Sequence, residues 1–136
     1  MKVLVSGHNG YIGSSLIPLL LEGGHDVVGL DTFLFGECTV GPDAPVVDAI
    51  RADIRDVTAE QLAPYGFDAV IHLAGISNDP LGDLNPDCTY DINHRGTIAL
   101  ARAAKAAGVG RFLFSSSCSL YGAAGDEALD ESADFN

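Results

Sequence analysis

"VSGHNGYIGSSLI", residues 5–17, carries glycines at 7, 10 and 13, where an apolar β-branched run gives way to apolar residues at helical spacing. Glycine loses more backbone freedom on folding than any other residue, so three together need a reason. A strand that enters a helix through a dinucleotide-binding turn supplies one. On this reading Gly7 turns the chain out of the strand, and Gly10 removes a side chain where phosphates approach. Gly13 lets the helix pack closely on the sheet. The N–H groups at the helix start then face the ligand, and the helix dipole favours an anion there by about 0.3–1 kcal/mol. The spacing is GxxGxxG, one residue longer than the usual GxGxxG. An ordinary strand-to-helix connection is the plain alternative; a strand before, a helix after and an acid further on favour the binding turn.

Outward from this turn the chain alternates strand and helix. "KVLVS" (2–6) reads as a strand buried on both faces, and "YIGSSLIPLLLE" (11–22) as a helix that Pro18 threatens to shorten or kink. "DVVGLD" (26–31) is a second strand, and residues 32–45 an irregular connection. "VVDAIRADI" (46–54) contains a third strand; "TAEQLAPY" (58–65) is a short helix with Thr58 as its N-cap. "DAVIHLAG" (68–75) is a fourth strand, followed by a polar loop, a long helix from about 86 to 107 ended by Gly108, and a fifth strand, "RFLFSSS" (111–117). Short joins between alternating elements imply a doubly wound α/β parallel sheet, Rossmann-like, of about five strands in the order 3-2-1-4-5.

The composition narrows the partners. With 136 residues the chain suffices for one modest core, and 47% hydrophobic content argues for a folded protein. Nineteen acidic against seven basic side chains give a net charge of −12, a field that repels nucleic acid and anionic membrane surfaces. An anionic small ligand is still compatible, since backbone N–H groups hold it locally. Cys38, Cys88 and Cys118 are odd in number and form no CxxC pair, which reads as reduced thiols in a cytoplasmic protein without a metal cluster. The N-terminal apolar run is too short for a signal peptide. His72, flanked by apolar residues within a strand, reads as a satisfied structural histidine rather than a base.

Asp31 closes the second strand. A carboxylate there accepts the adenosine ribose hydroxyls and repels a 2′-phosphate. No arginine lies in the glycine turn or directly after Asp31, so NAD is expected over NADP.

Together, "GHNGYIG" (7–13), "LD" (30–31), "ADIRD" (52–56), "HLAG" (72–75), "DINHRGT" (91–97) and "FSSSCSLYG" (114–122) resemble the extended short-chain dehydrogenase/reductase family, the NAD-dependent nucleotide-sugar epimerases and dehydratases. They stand in the family's order along the whole chain. The resemblance implies cofactor-binding roles for Gly7, Asn9, Gly10, Tyr11, Ile12 and Gly13 in the turn and for Asp31 at the ribose. It places Asp53 and Ile54 beside the adenine and Leu73, Ala74 and Gly75 along the cofactor. Asn93 matches the family's structural asparagine next to the active site. Ser117 matches the serine or threonine that hydrogen-bonds the sugar hydroxyl being oxidised, and is the catalytic residue the resemblance assigns.

One departure concerns the general base, a tyrosine in Tyr-x-x-x-Lys expected about twenty residues beyond "LYG". Tyr11, Tyr65, Tyr90 and Tyr121 are followed four places on by Ser15, Ala69, His94 and Gly125, so none of them fits. The chain therefore reads as the N-terminal part of a longer enzyme, lacking the base and the substrate-binding portion and inactive alone. The longer protein would act on a nucleotide sugar, as a homodimer through the 86–107 helix. An apolar stripe including Ile98, Leu100 and Ala101 is expected to lie uncovered on that helix. Dehydratases and decarboxylases of the family commonly carry a carboxylate where Cys118 and Ser119 stand. A small or hydroxylic residue there resembles the UDP-sugar 4-epimerases, with epimerase-reductases ranked second. A non-catalytic NAD-binding sensor is the alternative from a different class, and the "DINHRGT" and "SSSCSLYG" segments disfavour a flavin protein.

Overall fold

The computed structural model describes residues 1–34, 36, 45–77, 79–121 and 129–134, with the backbone alone for Asp79, Cys118 and Ser119. Five strands form one parallel sheet: β1 (Lys2–Ser6), β2 (Asp26–Asp31), β3 (Ala49–Arg51), β4 (Ala69–His72) and β5 (Arg111–Phe114). Their order is β3-β2-β1-β4-β5, and every pairing is parallel. The expected 3-2-1-4-5 topology is therefore the observed one.

The apolar runs of β1 and β2 bury residues on both faces, as a sheet covered by helices on both sides requires. On one face Val3, Val5 and Val27 pack with Ile17 of α1 (Tyr11–Glu22). On the other, Leu4, Val28, Leu30 and Val70 meet Leu62 of α2 (Ala59–Leu62) and Leu100 of α5 (Thr97–Ala106). Burying each such side chain contributes about 1.5–3 kcal/mol.

Several local expectations hold. α1 runs through Pro18 to Glu22, so the proline removes a backbone donor without ending the helix. Thr58 caps α2 in a reciprocal box with Gln61, each side chain bonding the other's backbone N–H. Gly108, at φ +85°, follows the end of α5.

Others are corrected. The segment after β4, expected as a loop, contains α3 (Asp79–Leu84), held to the next helix where the Thr89 hydroxyl donates to the Gly82 carbonyl at 3.0 Å. The long helix runs without a break from Pro86 to Ala106, as expected, but its middle is a π-helical turn (Asp91–Gly96) between α4 (Pro86–Tyr90) and α5. Leu100 is fully buried in the core, so it does not belong to an uncovered stripe. Ile98 is exposed, as are Leu113 and Phe114 on β5. β5 ends at Phe114, leaving Ser115–Ser117 beyond the sheet. Most of the 32–45 connection, including Cys38, lies outside the described residues. Among the described residues, no helix is long and apolar enough to cross a membrane.

Candidate functional site

Parallel strands bring all their carboxyl ends to one edge of the sheet, and the crevice at the point where strand order reverses is where such folds bind ligands. Here that point lies between β1, whose turn leads to α1, and β4. Gly7 takes φ +73°, a conformation that glycine alone adopts at little cost, and its N–H donates to the Leu30 carbonyl at 2.8 Å. A Cβ on Gly7 would stand 2.7 Å from the Ala74 nitrogen, so the turn lies directly against the backbone of the loop after β4. Gly13 is tight for a different reason from the one expected. A Cβ there would fall on the carbonyl oxygens of Gly7 and His8, so Gly13 lets α1 close on its own turn. Gly10 is the N-cap; no side chain caps α1 and no acid stands in its first turn. The leading N–H groups of α1 are thus left to solvent or to an anion. Tyr11 and Ile12 turn exposed side chains outward from the same turn.

Asp31 sits beside this turn. Its Oδ2 accepts the Asn9 N–H at 3.1 Å and its Oδ1 the Phe33 N–H at 2.9 Å. His8, whose side chain is only 10% exposed, holds Nδ1 3.9 Å from Asp31 Oδ2 without a hydrogen bond. Burial pushes the His8 imidazole below its ordinary value, offset in part by the Asp31 charge and the Leu30 carbonyl. The ring has room only because residue 29 is glycine, since a Cβ there would overlap it. Phe33 adopts φ +55° and sets its ring edge-on to His8 at 5.4 Å, with the Arg51 guanidinium 5.4 Å from its centroid. Arg51 is the β3 residue paired with Asp31 in register. A basic residue, distant along the chain, thus occupies the strand position beside Asp31.

Asp53 and Ile54 follow β3. Both Asp53 oxygens are engaged by Arg55, whose Nη2 lies 2.8 Å from Oδ2 and whose Nε donates to Oδ1 at 3.0 Å. These hydrogen bonds hold the Asp53 carboxyl below its usual range. Arg55 also reaches Asp91 at 2.9 Å, tying this corner to the π-helical turn. Ile54 sends its side chain into the core, where a Cβ on Gly96 would stand 3.0 Å from its Cδ1.

Leu73, Ala74 and Gly75 leave β4 under the glycine turn, with the Leu73 N–H donating to the Ser6 carbonyl at 3.0 Å. Asn93, on the π-helical turn, clasps this loop from the other side. Its Oδ1 accepts the Ile76 N–H and its Nδ2 donates to the Ile76 carbonyl, each at 2.7 Å. π-Helical turns occur often at functional sites. A groove of about 720 Å³ opens beside Asn93, bordered by Ile76, Asp83, Tyr90 and His94. Ser117 is exposed just beyond β5, its carbonyl accepting the Leu120 N–H at 3.3 Å. The side chains of Cys118 and Ser119 lie outside the described residues. Among the described residues, no group of three or more His, Cys, Asp or Glu side chains is placed to hold a metal ion.

The sheet order, the glycine turn against the β4 loop and an acid closing β2 define a dinucleotide-binding fold of the Rossmann type. The chain belongs to the NAD dependent epimerase/dehydratase family, whose profile matches residues 3–136. It is 39% identical over 132 residues to a UDP-glucose 4-epimerase of Klebsiella pneumoniae, covering 90% of this chain and 93% of that sequence. A Corynebacterium glutamicum UDP-glucose 4-epimerase is 37% identical over 123 residues, covering 90% of this chain and 36% of that protein. Among solved structures, the UDP-glucose-4-epimerase of Stenotrophomonas maltophila, with bound NAD and formylated UDP-arabinopyranose, superposes with a TM-score of 0.86 at 34% identity. The match covers all of this chain and 43% of that one. The chain thus spans well under half of the Corynebacterium and Stenotrophomonas proteins, and nearly all of the Klebsiella sequence. Within the family it stands close to the UDP-sugar 4-epimerases.

Proposed function

We propose that these 136 residues bind NAD and form the dinucleotide-binding part of a cytoplasmic UDP-sugar 4-epimerase. The observation that carries this is the glycine turn, seated on the β4 loop with an uncapped helix start and Asp31 beside it. In this reading the N–H groups of Tyr11, Ile12 and Gly13 take the pyrophosphate, and Asn9 holds the turn to Asp31. Asp31 takes the ribose hydroxyls. Asp53 and the backbone of Ile54 border the adenine. Leu73, Ala74 and Gly75 line the cofactor, and Asn93 fixes that lining.

NAD, when bound, supplies the hydride acceptor for transient oxidation of a sugar hydroxyl and returns the hydride afterwards. Ser117 orients that hydroxyl. The proton is removed by a tyrosine that these 136 residues do not include, since none of their tyrosines stands in Tyr-x-x-x-Lys. General acid–base help is worth about 10²–10⁴-fold. The chain alone therefore binds NAD without turnover, and the complete enzyme pairs as a homodimer through residues 86–107, where Tyr90 and Ile98 are exposed. Epimerisation is favoured over dehydration because Cys118 and Ser119 supply no carboxylate beside the sugar.

The test is to incubate the chain with NAD and a panel of UDP-sugars, following both NAD retention and sugar interconversion. NAD retained without interconversion is expected. Interconversion by the chain alone would show that a base lies within it, and failure to retain NAD would remove the reading.

A further inference from the structure

Ser6 and His72 are buried polar residues on the two central strands, 0% and 1% exposed, and they are partners in register. Ser6 Oγ lies 2.6 Å from His72 Nδ1, and His72 Nε2 lies 2.7 Å from Thr97 Oγ1. The Thr97 hydroxyl donates to the Asn93 carbonyl at 2.7 Å. That bond uses the only proton on Thr97 Oγ1, so the oxygen must accept from His72 Nε2–H. Nδ1 of the neutral ring then accepts from the Ser6 hydroxyl. The direction of the whole chain follows: Ser6 to His72, His72 to Thr97, Thr97 to Asn93. The rings of Phe112 and Phe114 flank the imidazole at 5.8 and 5.7 Å, and burial favours its neutral form.

This series ends on the residue that clasps Ile76. A buried polar network with every member satisfied rigidifies what it touches. Here it joins the sheet to the first residue of α5, then to the π-helical turn, then to the loop carrying Leu73–Gly75. The glycine turn has no slack against that loop, as the position of Ala74 under Gly7 shows. A displacement of the loop therefore reaches the turn.

We infer that Thr97, held by His72, is a positioning residue that sets the loop 73–76 against the glycine turn and so tunes dinucleotide affinity. The affinity part rests on the proposed NAD binding; the positioning part does not. The two ends of the ring separate this role from plain stability. Ser6→Ala and Thr97→Val each remove one hydrogen bond from the imidazole and leave one ring nitrogen unpaired, so both lower the melting temperature to a similar extent. Only Thr97→Val cuts the path to Asn93.

Amide hydrogen exchange at Ile76 and calorimetric titration with NAD are measured on the chain and on both variants. Thr97→Val is expected to speed Ile76 exchange and weaken NAD binding about tenfold, whereas Ser6→Ala leaves both within about twofold. Thr97→Ser, which restores the hydroxyl, is expected to recover both, and Thr97→Ala, which also lacks the hydroxyl, takes the place of the valine variant if that one fails to fold. Equal effects of Ser6→Ala and Thr97→Val on both readouts, or no effect of Thr97→Val on Ile76 exchange, would overturn the inference. Faster Ile76 exchange with unchanged NAD affinity would overturn its affinity part. Absence of NAD binding by the unmodified chain would overturn the proposed function, with Ile76 exchange still deciding the positioning role.

Discussion

At the scale of single residues, His72, buried, and His8, partly buried, have a consequence for stability. Burial lowers the proton affinity of His8 and of His72 in the folded chain, while in the unfolded chain both titrate near 6.5. The unfolded chain therefore binds more protons as the pH drops below that value, and stability falls until the folded-state values are passed. Each histidine contributes a slope of at most about 1.4 kcal/mol per pH unit. Asp53 acts in a lower window: its carboxyl is held down by Arg55, so its contribution is present above about pH 4 and is lost on further acidification. Melting temperatures between pH 7.5 and 5.5 are expected to fall, with a shallower slope in His72→Gln. A flat profile would contradict the lowered proton affinity of both rings.

The glycines separate at the same scale. A methyl on Gly13 meets carbonyl oxygens of the turn itself, whereas at Gly24, φ +74°, no atom lies within 4 Å. Gly24→Ala is expected to cost about 1–2 kcal/mol through backbone strain and to leave NAD binding intact. Gly13→Ala is expected to cost a similar or larger amount by overpacking and to abolish NAD binding. Calorimetry on both variants decides it, and equal NAD affinities would show that the turn's tight closure is irrelevant to the ligand.

At the scale of elements, α2 and the Asn93 clasp offer a contrast. Thr58→Ala removes a helix cap remote from the glycine turn and is expected to cost about 1 kcal/mol without changing NAD affinity. Asn93→Ala removes both side-chain bonds to Ile76, at about 1–3 kcal/mol, and is expected to weaken NAD binding as well. If the two variants lost stability and left NAD affinity alike, the loop would have no part in the site.

Elements dominated by local signals were legible in the sequence. α1 and β2 coincide with the runs read from apolar periodicity, and Thr58 caps α2 as its position suggested. α3 was not legible, because "DPLGDL" carries a proline and a glycine, and the Thr89–Gly82 bond supports it from another helix. The π-helical turn has no periodic signature of its own. The site divides in the same way. The glycines, Asp31, Asp53 and Asn93 of the candidate site stand in motifs that a sequence reading can pick out, while Arg51 on the strand beside Asp31, Arg55 bridging Asp53 to Asp91, and the Ser6–His72–Thr97 series depend on contacts between distant segments.

At the scale of the whole molecule, a chain of net charge −12 is asked to hold an anionic dinucleotide. In the proposed function, backbone N–H groups at the start of α1 hold the anion locally, and Asp31 discriminates at the far end. Arg51, the β3 partner of Asp31 in register, brings a positive charge to the neighbouring strand. Replacing Arg51 with alanine should widen the preference for NAD over NADP, and Asp31→Ala should narrow it.

The most direct measurement is calorimetric titration of the chain with NAD and with NADP under one set of conditions. One NAD per chain is expected, bound at least tenfold more tightly than NADP, a difference of about 1.4 kcal/mol or more. No binding of NAD, or equal affinity for the two dinucleotides, would contradict the site assigned to the glycine turn and Asp31.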